Sequence, residues 1–428
     1  MTSSNDNVHQ LTDHLFRHQA GKMVAVLTRI FGLQNIELAE DVVQDAFAKA
    51  LKEWTYEMPA NPAGWLMTVA KNKAIDVVRR QRYQKEFAAD VAPLLKSEYT
   101  VQPVIDKLFM ETEIQDSQLR MIFACCHPAL NETEQVALTL KTCSGFSVDE
   151  IARALLSNNE AIKKRLQRAK QFIAEEKLQF DIPVGDELKK RLDTVLSVLY
   201  LLFNEGYNSS SKEDLIRKEL CEEAIRLSLL ITENKYINHP KSFSLVALMT
   251  LLAARFDARL DNKGEIVLLQ DQDRSKWNQE LINIGLHYLN QSAEGDELSE
   301  YHIEAAIVAE HSMAKNFSAT NWPQILVLYD ILAQVNPSPV VLLNRSIVVG
   351  KIDGAAKAIT VINNIVGIEK LSEKHYLFAA TLGELHSQLH NHHEARRHFE
   401  KAIALTESPF EKKLLQKKLD AMMKMGKQ

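Results

Sequence analysis

The sequence predicts an all-α protein, and composition and helix-start signals indicate this fold class. Ala, Leu, Glu, Lys and Gln dominate, whereas Gly and Pro contribute only 14 and 11 of the 428 residues. These proportions favour helix, and runs of β-branched residues are short. Several Ser or Asn residues precede a glutamate by three positions, a pattern that starts helices. Because 428 residues exceed what one hydrophobic core usually serves, we expect two or more domains.

Charge and cysteine content narrow the class further. The net charge is -5, and there are four cysteines, which suit a reducing compartment rather than a disulfide framework. The start, MTSSNDNVHQ, lacks the layout of a secretory signal. The apolar stretch VLSVLYLLF from Val195 is too short to span a bilayer. We therefore expect a cytoplasmic protein with no membrane association.

The first zone, residues 10–82, holds an acidic and a basic helix. In AEDVVQDAFAKALKEW, acidic and polar residues alternate with an apolar face that includes Val42, Val43, Phe47 and Leu51. A Pro-containing loop follows, and then a Trp-led helix that ends in KNKAIDVVRRQR. Residues 83–115 lose periodicity and carry Pro93, Pro103 and scattered carboxylates, so we expect an acidic linker there.

The zone from 116 to 178 shows three helix starts. Asn131, Ser147 and Ser157 each precede a glutamate by three residues, which is the spacing of a capping box. The second and third helices are joined by the short turn LLSNN, so they form a helix-turn-helix. The third helix concentrates cations on the side away from Ile162, Leu166 and Ala169. A solvated face normally mixes signs at i,i+4 spacing, whereas a basic second helix of this motif suits the major groove of DNA.

The rest of the chain is helical but differently organised. We divide it into a helical extension domain, residues 181–290, and helical repeats, residues 291–428. In LGELHSQLHNHHEARRHFEKAIALTESP, small and aromatic residues stand near the offsets of a tetratricopeptide repeat. The matches are degenerate, and His386 occupies a position where an aromatic ring is expected. We therefore predict tetratricopeptide-like repeats rather than a regular array.

Residues 10–178 resemble a sigma-70 transcription initiation factor of the extracytoplasmic-function (ECF) type, which keeps only regions 2 and 4. AEDVVQDAF is similar to region 2.2, NPAGWLMTVAKNKAIDVVRRQR to regions 2.3 and 2.4, and FSVDEIARALLSNNEAIKKRLQRAKQF to region 4.2. LYLLFNEGYNSS and LLQDQDRSKWN resemble the large C-terminal extension of a subgroup that ends in tetratricopeptide-like repeats. The resemblance implies a region 2 helical bundle, a region 4 helix-turn-helix and a helical extension.

The resemblance also implies partners: core RNA polymerase, through the β′ clamp helices and the β flap, and promoter DNA. No cofactor, metal or enzymatic activity is implied. The extension is expected to contact the sigma regions or an unidentified signal partner. The set implied to dock on polymerase is Glu40, Asp41, Gln44, Asp45 and Phe47.

Two further sets are implied to contact DNA. The loop before the basic helix captures a base flipped from the -10 element, and the cations after it follow the single strand. Implied -10 residues are Ala60, Asn61, Pro62, Lys71, Asn72, Lys73, Arg79 and Arg80. Implied -35 residues are Asn158, Asn159, Lys163, Lys164, Arg165, Gln167, Arg168 and Lys170. Within this second set, Arg165 and Lys170 are expected at phosphates, and Asn158 and Asn159 at a helix N-terminus that offers backbone donors.

Three other patterns leave alternatives open. CCHP at 125–128 with Cys143 suggests zinc, but adjacent cysteines point about 100° apart on a helix, so buried apolar thiols are preferred. His386 and His390 stand at i,i+4 without a third ligand. The motif around LLQDQDRSKWN is a catalytic cluster, an interdomain ion-pair network or a binding face. Its residues are Asp271, Asp273, Arg274, Lys276 and Trp277.

Two competing functions remain. A helix-turn-helix regulator that never joins polymerase would lack the acidic docking helix and the Trp-led basic helix, and this chain has both. An enzyme on a repeat scaffold would need a nucleophile with a base, a phosphate loop or a metal spacing that the sequence does not offer.

Overall fold

A computed structural model describes residues 2–81, 92–95, 97–155, 157–178, 180–209, 214–295 and 297–425. Within these ranges the chain is helical, as predicted, and β structure is limited to one isolated bridge between Leu260 and Ile266. The chain divides into two compact units, Met1–Leu202 and Phe203–Gln428. Across the same ranges, no helix combines the length and the apolar character needed to cross a membrane.

The first unit begins at its N-terminus with a long helix and ends with a helix that runs past the unit boundary. Its 3₁₀ helix is Leu33–Asn35. Its α-helices are α1 (Thr2–Phe31), α2 (Ile36–Glu53), α3 (Pro62–Gln81), α4 (Ala92–Leu95), α5 (Glu98–Leu108), α6 (Glu111–Cys125), α7 (Glu132–Thr142), α8 (Val148–Ala154), α9 (Asn159–Glu176) and α10 (Asp186–Tyr207).

Helix α1 joins the two predicted sigma regions of this unit. It packs against α2 and α3 of the predicted region 2 and also against α6 and α7, which lie further along the chain. Gly21 permits the approach to the end of α7, because a Cβ there would lie 2.1 Å from the carbonyl oxygen of Cys143. Since backbone cannot give way like a flexible side chain, only glycine fits at this crossing.

The acidic linker contains helices that the sequence did not lead us to expect. Pro103 and the carboxylates suggested irregular chain, yet α5 runs through Pro103. The reason is the spacing of Val101, Ile105 and Leu108, which lie at i, i+4 and i+7 and are all buried. Burial of this stripe compensates for the hydrogen bond that proline cannot donate. Residues 83–91 of the linker, including Glu86 and Asp90, lie outside the described residues.

The second unit consists of consecutive helices with several 3₁₀ turns. The 3₁₀ helices are Phe256–Ala258, Leu269–Asp271, Arg274–Lys276 and Phe317–Ala319. The α-helices are α11 (Lys218–Glu233), α12 (Pro240–Ala253), α13 (Gln279–Ser292), α14 (Glu300–Met313), α15 (Trp322–Val335), α16 (Pro339–Asp353), α17 (Ala355–Asn363), α18 (Ile368–Lys374), α19 (Tyr376–Gln388), α20 (His392–Leu405) and α21 (Pro409–Met425).

Close helix pairs organise the end of this unit. α16 packs on α17, and α19 packs on α20. A Cβ on Gly350 would meet Ala358 at 3.0 Å, and one on Gly383 would meet the Phe399 ring at 2.9 Å. Glycine therefore sets the closeness of both pairs. Whether these pairs are tetratricopeptide-like stays a prediction.

Candidate nucleic-acid interface

Helix α2 presents the acidic face that the sequence predicted. Its apolar residues, such as Val42 and Val43, are buried. Asp41, Gln44 and Asp45 lie on the opposite side and are exposed. Because the helix is amphipathic, burial of one face fixes the outward direction of the carboxylates.

Phe47 is buried, whereas the resemblance implies that it contacts polymerase at the surface. Its side chain is only 5% exposed, and its ring meets that of Phe16 edge-on with centroids 5.0 Å apart. A ring in this position anchors α2 to α1 and is not presented to a partner. The apolar spacing of α2 includes position 47, and this signal places the residue in the core.

The loop before α3 is shaped by one side chain. Asn61 Oδ1 accepts a hydrogen bond from the backbone N–H of Gly64 at 2.9 Å, and Pro62 is the first residue of α3. This is a capped helix start with proline where its missing N–H costs nothing. Ala60 and Asn61 are exposed beside it. The predicted base-capturing loop is therefore held open to solvent by the start of α3.

The structure adds an aromatic residue to this loop that sequence analysis did not select. Tyr56 is 90% exposed, although tyrosine usually buries its ring. It lies in the turn after α2, a few residues before Ala60. The signal that the sequence offered was the tyrosine in WTYEMPANP, just before the predicted base-capturing residues. An exposed ring offers a platform on which a base can stack.

The cations of α3 are engaged by carboxylates. Lys71 Nζ lies 3.0 Å from Asp106 Oδ1 on α5, and Lys73 forms an ion pair with Asp45 on α2. Hydrogen bonds from Lys71 and Gln102 lower the pKa of Asp106. Beyond these pairs, Asn72, Arg79 and Arg80 are exposed. Exposed ion pairs contribute about 0–1 kcal/mol, so a phosphate can replace either carboxylate at small cost.

The helix-turn-helix is formed by α8 and α9, and its caps partly match the sequence prediction. The reciprocal bonds of a capping box exist between Asn131 and Glu134 and between Ser147 and Glu150. The third prediction, Ser157, is wrong. Asn158 caps α9 instead, because its Oδ1 accepts from the Ala161 N–H at 2.9 Å.

Helix α9 separates its apolar and cationic faces. Ile162, Leu166, Ala169 and Ile173 are buried. Outward positions, all exposed, are Asn158, Asn159, Lys163, Lys164, Gln167 and Arg168. Arg165 is half-buried. Six predicted -35 residues therefore share one accessible surface.

Lys170 stands apart from that surface. Its Nζ lies 2.5 Å from Oε2 of Glu40, and the two side chains are 17% and 15% exposed. Glu40 belongs to the predicted polymerase set, so one residue from each of two predicted interfaces is used in an internal ion pair. In this arrangement neither is available to an outside partner.

The extension motif lies within the second unit. Arg274 donates from Nη1 to the carbonyl oxygens of His311 and Ala314, at the end of α14. Its guanidinium lies 4.5 Å from the ring of Trp277, which is 3% exposed. Asp273 caps the short turn by accepting from Ser275. The motif ties a loop to α14, which favours a structural role over a catalytic cluster. Asp271 and Lys276 are exposed.

The cysteines are buried, as expected of apolar thiols. Cys125, Cys126, Cys143 and Cys221 are free and buried. Burial raises the pKa of Cys126 to about 12. Since metals and electrophiles react with the thiolate, such a thiol is a poor ligand or nucleophile at neutral pH.

Comparison with known families matches both sigma regions and the extension. Sigma-70 region 2 matches residues 15–83, and sigma-70 region 4 matches residues 120–173. A family of unknown function, DUF6596, matches residues 191–293. The two sigma matches cover the helices that carry the acidic face, the -10 set and the helix-turn-helix.

Known relatives agree with these matches. An uncharacterized protein of Rhizobium meliloti is 36% identical over 398 residues, which cover 93% of this chain and 92% of the relative. The ferric citrate uptake sigma factor FecI of Escherichia coli is 27% identical over 37% of this chain and 85% of its own length. The ECF sigma factor BldN of Streptomyces coelicolor is 29% identical over 32% of this chain and 49% of its own length.

No solved structure matches the chain. The two sigma-region matches, the ECF relatives and the near full-length relative nevertheless agree. This chain therefore belongs to the sigma-70 family, as a sigma factor of the extracytoplasmic-function type with a large helical C-terminal extension.

Proposed function

We propose that this protein binds core RNA polymerase, recognises the -35 and -10 promoter elements and initiates transcription, with the extension regulating or supporting this activity. The observation that carries the proposal is the outward cationic face of α9 in a helix-turn-helix that shares a compact unit with the acidic face of α2. Neither surface alone distinguishes a sigma factor from another regulator, but a sigma factor needs both.

At the -35 element, α9 enters the major groove. Lys163, Lys164 and Arg168 donate to guanine O6 and N7 or to phosphates, and Gln167 pairs with adenine. Asn158 and Asn159 bring the N-terminus of α9, with its free backbone donors, to a phosphate. The net charge of -5 limits sequence-independent binding, which scales with the phosphates that a protein neutralises.

At the -10 element, the loop from Pro59 to Pro62 takes up a flipped base, and Tyr56 provides a ring for stacking. Lys71 and Lys73 leave Asp106 and Asp45 for phosphates of the strand. Asn72 hydrogen-bonds a base edge. Arg79 and Arg80 continue the cationic path toward the end of α3. The protein holds the open bubble by charge and stacking, and it performs no chemistry on DNA.

Polymerase is held through α2 and the helix-turn-helix domain. Asp41, Gln44 and Asp45 offer two carboxylates and an amide to the clamp helices of β′. Carboxylates are complementary to a basic surface on the partner. The region 4 domain contacts the β flap. Phe47 supports this interface from inside by fixing α2 on α1.

Copurification with core polymerase tests the proposal. We expect Asp41→Lys to weaken core binding by more than about tenfold, because like charges across an interface cost several kcal/mol. Glu53→Lys is the matched control, since Glu53 is an exposed acid of α2 on the side opposite Gln44. A wild-type protein that binds promoter DNA but no core enzyme would instead indicate a helix-turn-helix regulator.

A further inference from the structure

The hairpin of α19 and α20 brings three metal-ligating side chains together. His386 lies in the last turn of α19, Glu394 in the first turn of α20, and His398 one turn later. One ligand atom from each lies within 4.8 Å of the other two. The i,i+4 spacing of Glu394 and His398 puts both on one face of α20, and the helix pairing adds His386 from the opposite side.

The rings of His386 and His398 face each other across the hairpin. Their rings stack with centroids 5.5 Å apart and an interplanar angle of 7°. His386 Nδ1 is shielded from solvent and has no hydrogen-bond partner. A buried polar atom without a partner costs free energy, and a ring nitrogen in this position can recover it by binding an ion.

We propose that His386, Glu394 and His398 form a binding site for a divalent transition metal of the zinc class. Two imidazoles and a carboxylate are a common ligand set for Zn²⁺, with water in the fourth position. Ligand bonds of about 2.0–2.2 Å bring tetrahedral donors to about 3.3 Å from one another. The side chains have to close by roughly an ångström or more, which rotation about their χ angles provides.

Arg397 shares the carboxylate with the proposed metal. Its Nη2 lies 2.6 Å from Oε2 of Glu394. Oε2 also lies 3.9 Å from Nε2 of His398, whereas Oε1 lies 3.2 Å from Nδ1 of His393. Because a carboxylate oxygen has two lone pairs, Oε2 can bind the metal while it accepts from Arg397. Such a partner behind a ligand is typical of metal sites.

The site differs from the i,i+4 pair that the sequence suggested. His390 is exposed and lies in the turn with φ 57°, outside the cluster. The third ligand came from the next helix, which spacing along one helix cannot show. The proposal is independent of promoter binding and assigns the extension a ligand of its own.

The test is Zn²⁺ titration by calorimetry on the full-length chain without a histidine tag, with Co²⁺ absorption as a second probe. We expect one metal per chain and tetrahedral Co²⁺ bands. We expect Zn²⁺ binding to weaken by more than about tenfold in each of three variants, His386→Ala, His398→Ala and Glu394→Gln. Loss of a residue that only supports a ligand already lowers metal affinity by about 10-fold or more, and loss of a ligand itself should cost at least as much. Zn²⁺ should also raise the Tm of the wild type but not of His398→Ala.

His375→Ala is the matched control, because His375 is exposed and precedes the same helix, about 16 Å from His386. Circular dichroism checks the fold, and Glu394→Gln, on the rim of the cluster, serves if a histidine variant unfolds.

The proposal is overturned if the wild type binds no Zn²⁺, or if the three variants bind as the wild type does. It is equally overturned if binding depends on His390, His392 and His393 instead. None of these results bears on core polymerase binding, which is measured separately.

Discussion

At the scale of single residues, the sequence predicted the type of a contact better than its position. It indicated a cap at the start of α9 and chose Ser157, whereas Asn158 makes the bond. Ser and Asn cap helices about equally well, so adjacent candidates cannot be separated without the backbone. Asn158 has the extended backbone, φ -112° and ψ 160°, that a cap needs.

Asn158 allows capping and DNA contact to be separated. Asn158→Asp keeps an acceptor for the Ala161 N–H and adds a charge that the helix N-terminus tolerates well. We expect unchanged stability but weaker promoter binding by the reconstituted polymerase, because the carboxylate repels a phosphate. Asn158→Ala should instead lower stability by about 1 kcal/mol. Salt-dependent DNA binding and urea unfolding measure the two effects, and wild-type promoter affinity in Asn158→Asp would contradict the phosphate assignment.

The buried Phe47 gives a second lesson at this scale. Family resemblance assigned it to the polymerase interface, while the apolar period of α2 placed it inside. Where the two disagreed, the physical pattern was right about its burial. The polymerase role of the exposed neighbours remains a prediction.

At the scale of elements, the order and faces of the helices were predictable, but the contacts between them were not. The amphipathic faces of α2 and α9 follow from their residues. The helix within the linker was missed because proline and charge outweighed a short apolar stripe. The ion pair between Lys170 and Glu40 joins residues 130 positions apart, and no local pattern indicates it.

That ion pair should couple α9 to α2. Both side chains are mostly shielded, and breaking a buried pair leaves an uncompensated charge. We expect Lys170→Glu and Glu40→Lys to destabilise the protein singly by about 1–3 kcal/mol and the double variant to recover much of the loss. Urea unfolding of the wild type and three variants gives the coupling energy. Strictly additive effects would show that the pair contributes nothing.

The ion pair with Lys170 would compete with any contact between Glu40 and core polymerase. If Glu40 docks on polymerase, it must first leave Lys170. In that case Glu40→Lys should weaken core binding even in the double variant, which recovers much of the lost stability. Lys170→Met removes the competitor and keeps Glu40, so it should bind core polymerase more tightly than the wild type.

His311 in α14 gives the extension a pH-dependent stability. Burial, with the charges of Arg255 and Arg274, lowers its pKa to about 4, while the unfolded value is near 6.5. The neutral ring is the folded form, so its stabilising effect is complete above about pH 6.5 and is lost as pH falls toward 4. Between pH 7.5 and pH 5 this costs about 2 kcal/mol. His311→Gln should show a smaller shift of the urea midpoint between these pH values. An equal shift would contradict a buried neutral histidine.

At the scale of the whole molecule, the sequence predicted an all-α chain and two sigma regions because both depend on local pattern and motif order. The unit boundary at Leu202 could not be predicted, since it falls inside α10. Arg191 of this helix donates to the carbonyl oxygen of Phe123 from a buried position. A truncation near Phe180 would remove that contact, so a variant that keeps the first unit intact must end no earlier than Leu202.

We propose that this chain directs polymerase to promoters. The most direct measurement is in vitro transcription with core polymerase of the source organism on its genomic DNA, comparing the wild type with Arg168→Ala and with the exposed extension control Lys357→Ala. We predict discrete start sites with shared -35 and -10 elements from the wild type and from Lys357→Ala. Arg168→Ala should reduce them by about 10-fold or more, since a base contact contributes about 1–3 kcal/mol. No discrete starts from the wild type, together with no core binding, would contradict the proposed sigma-factor function.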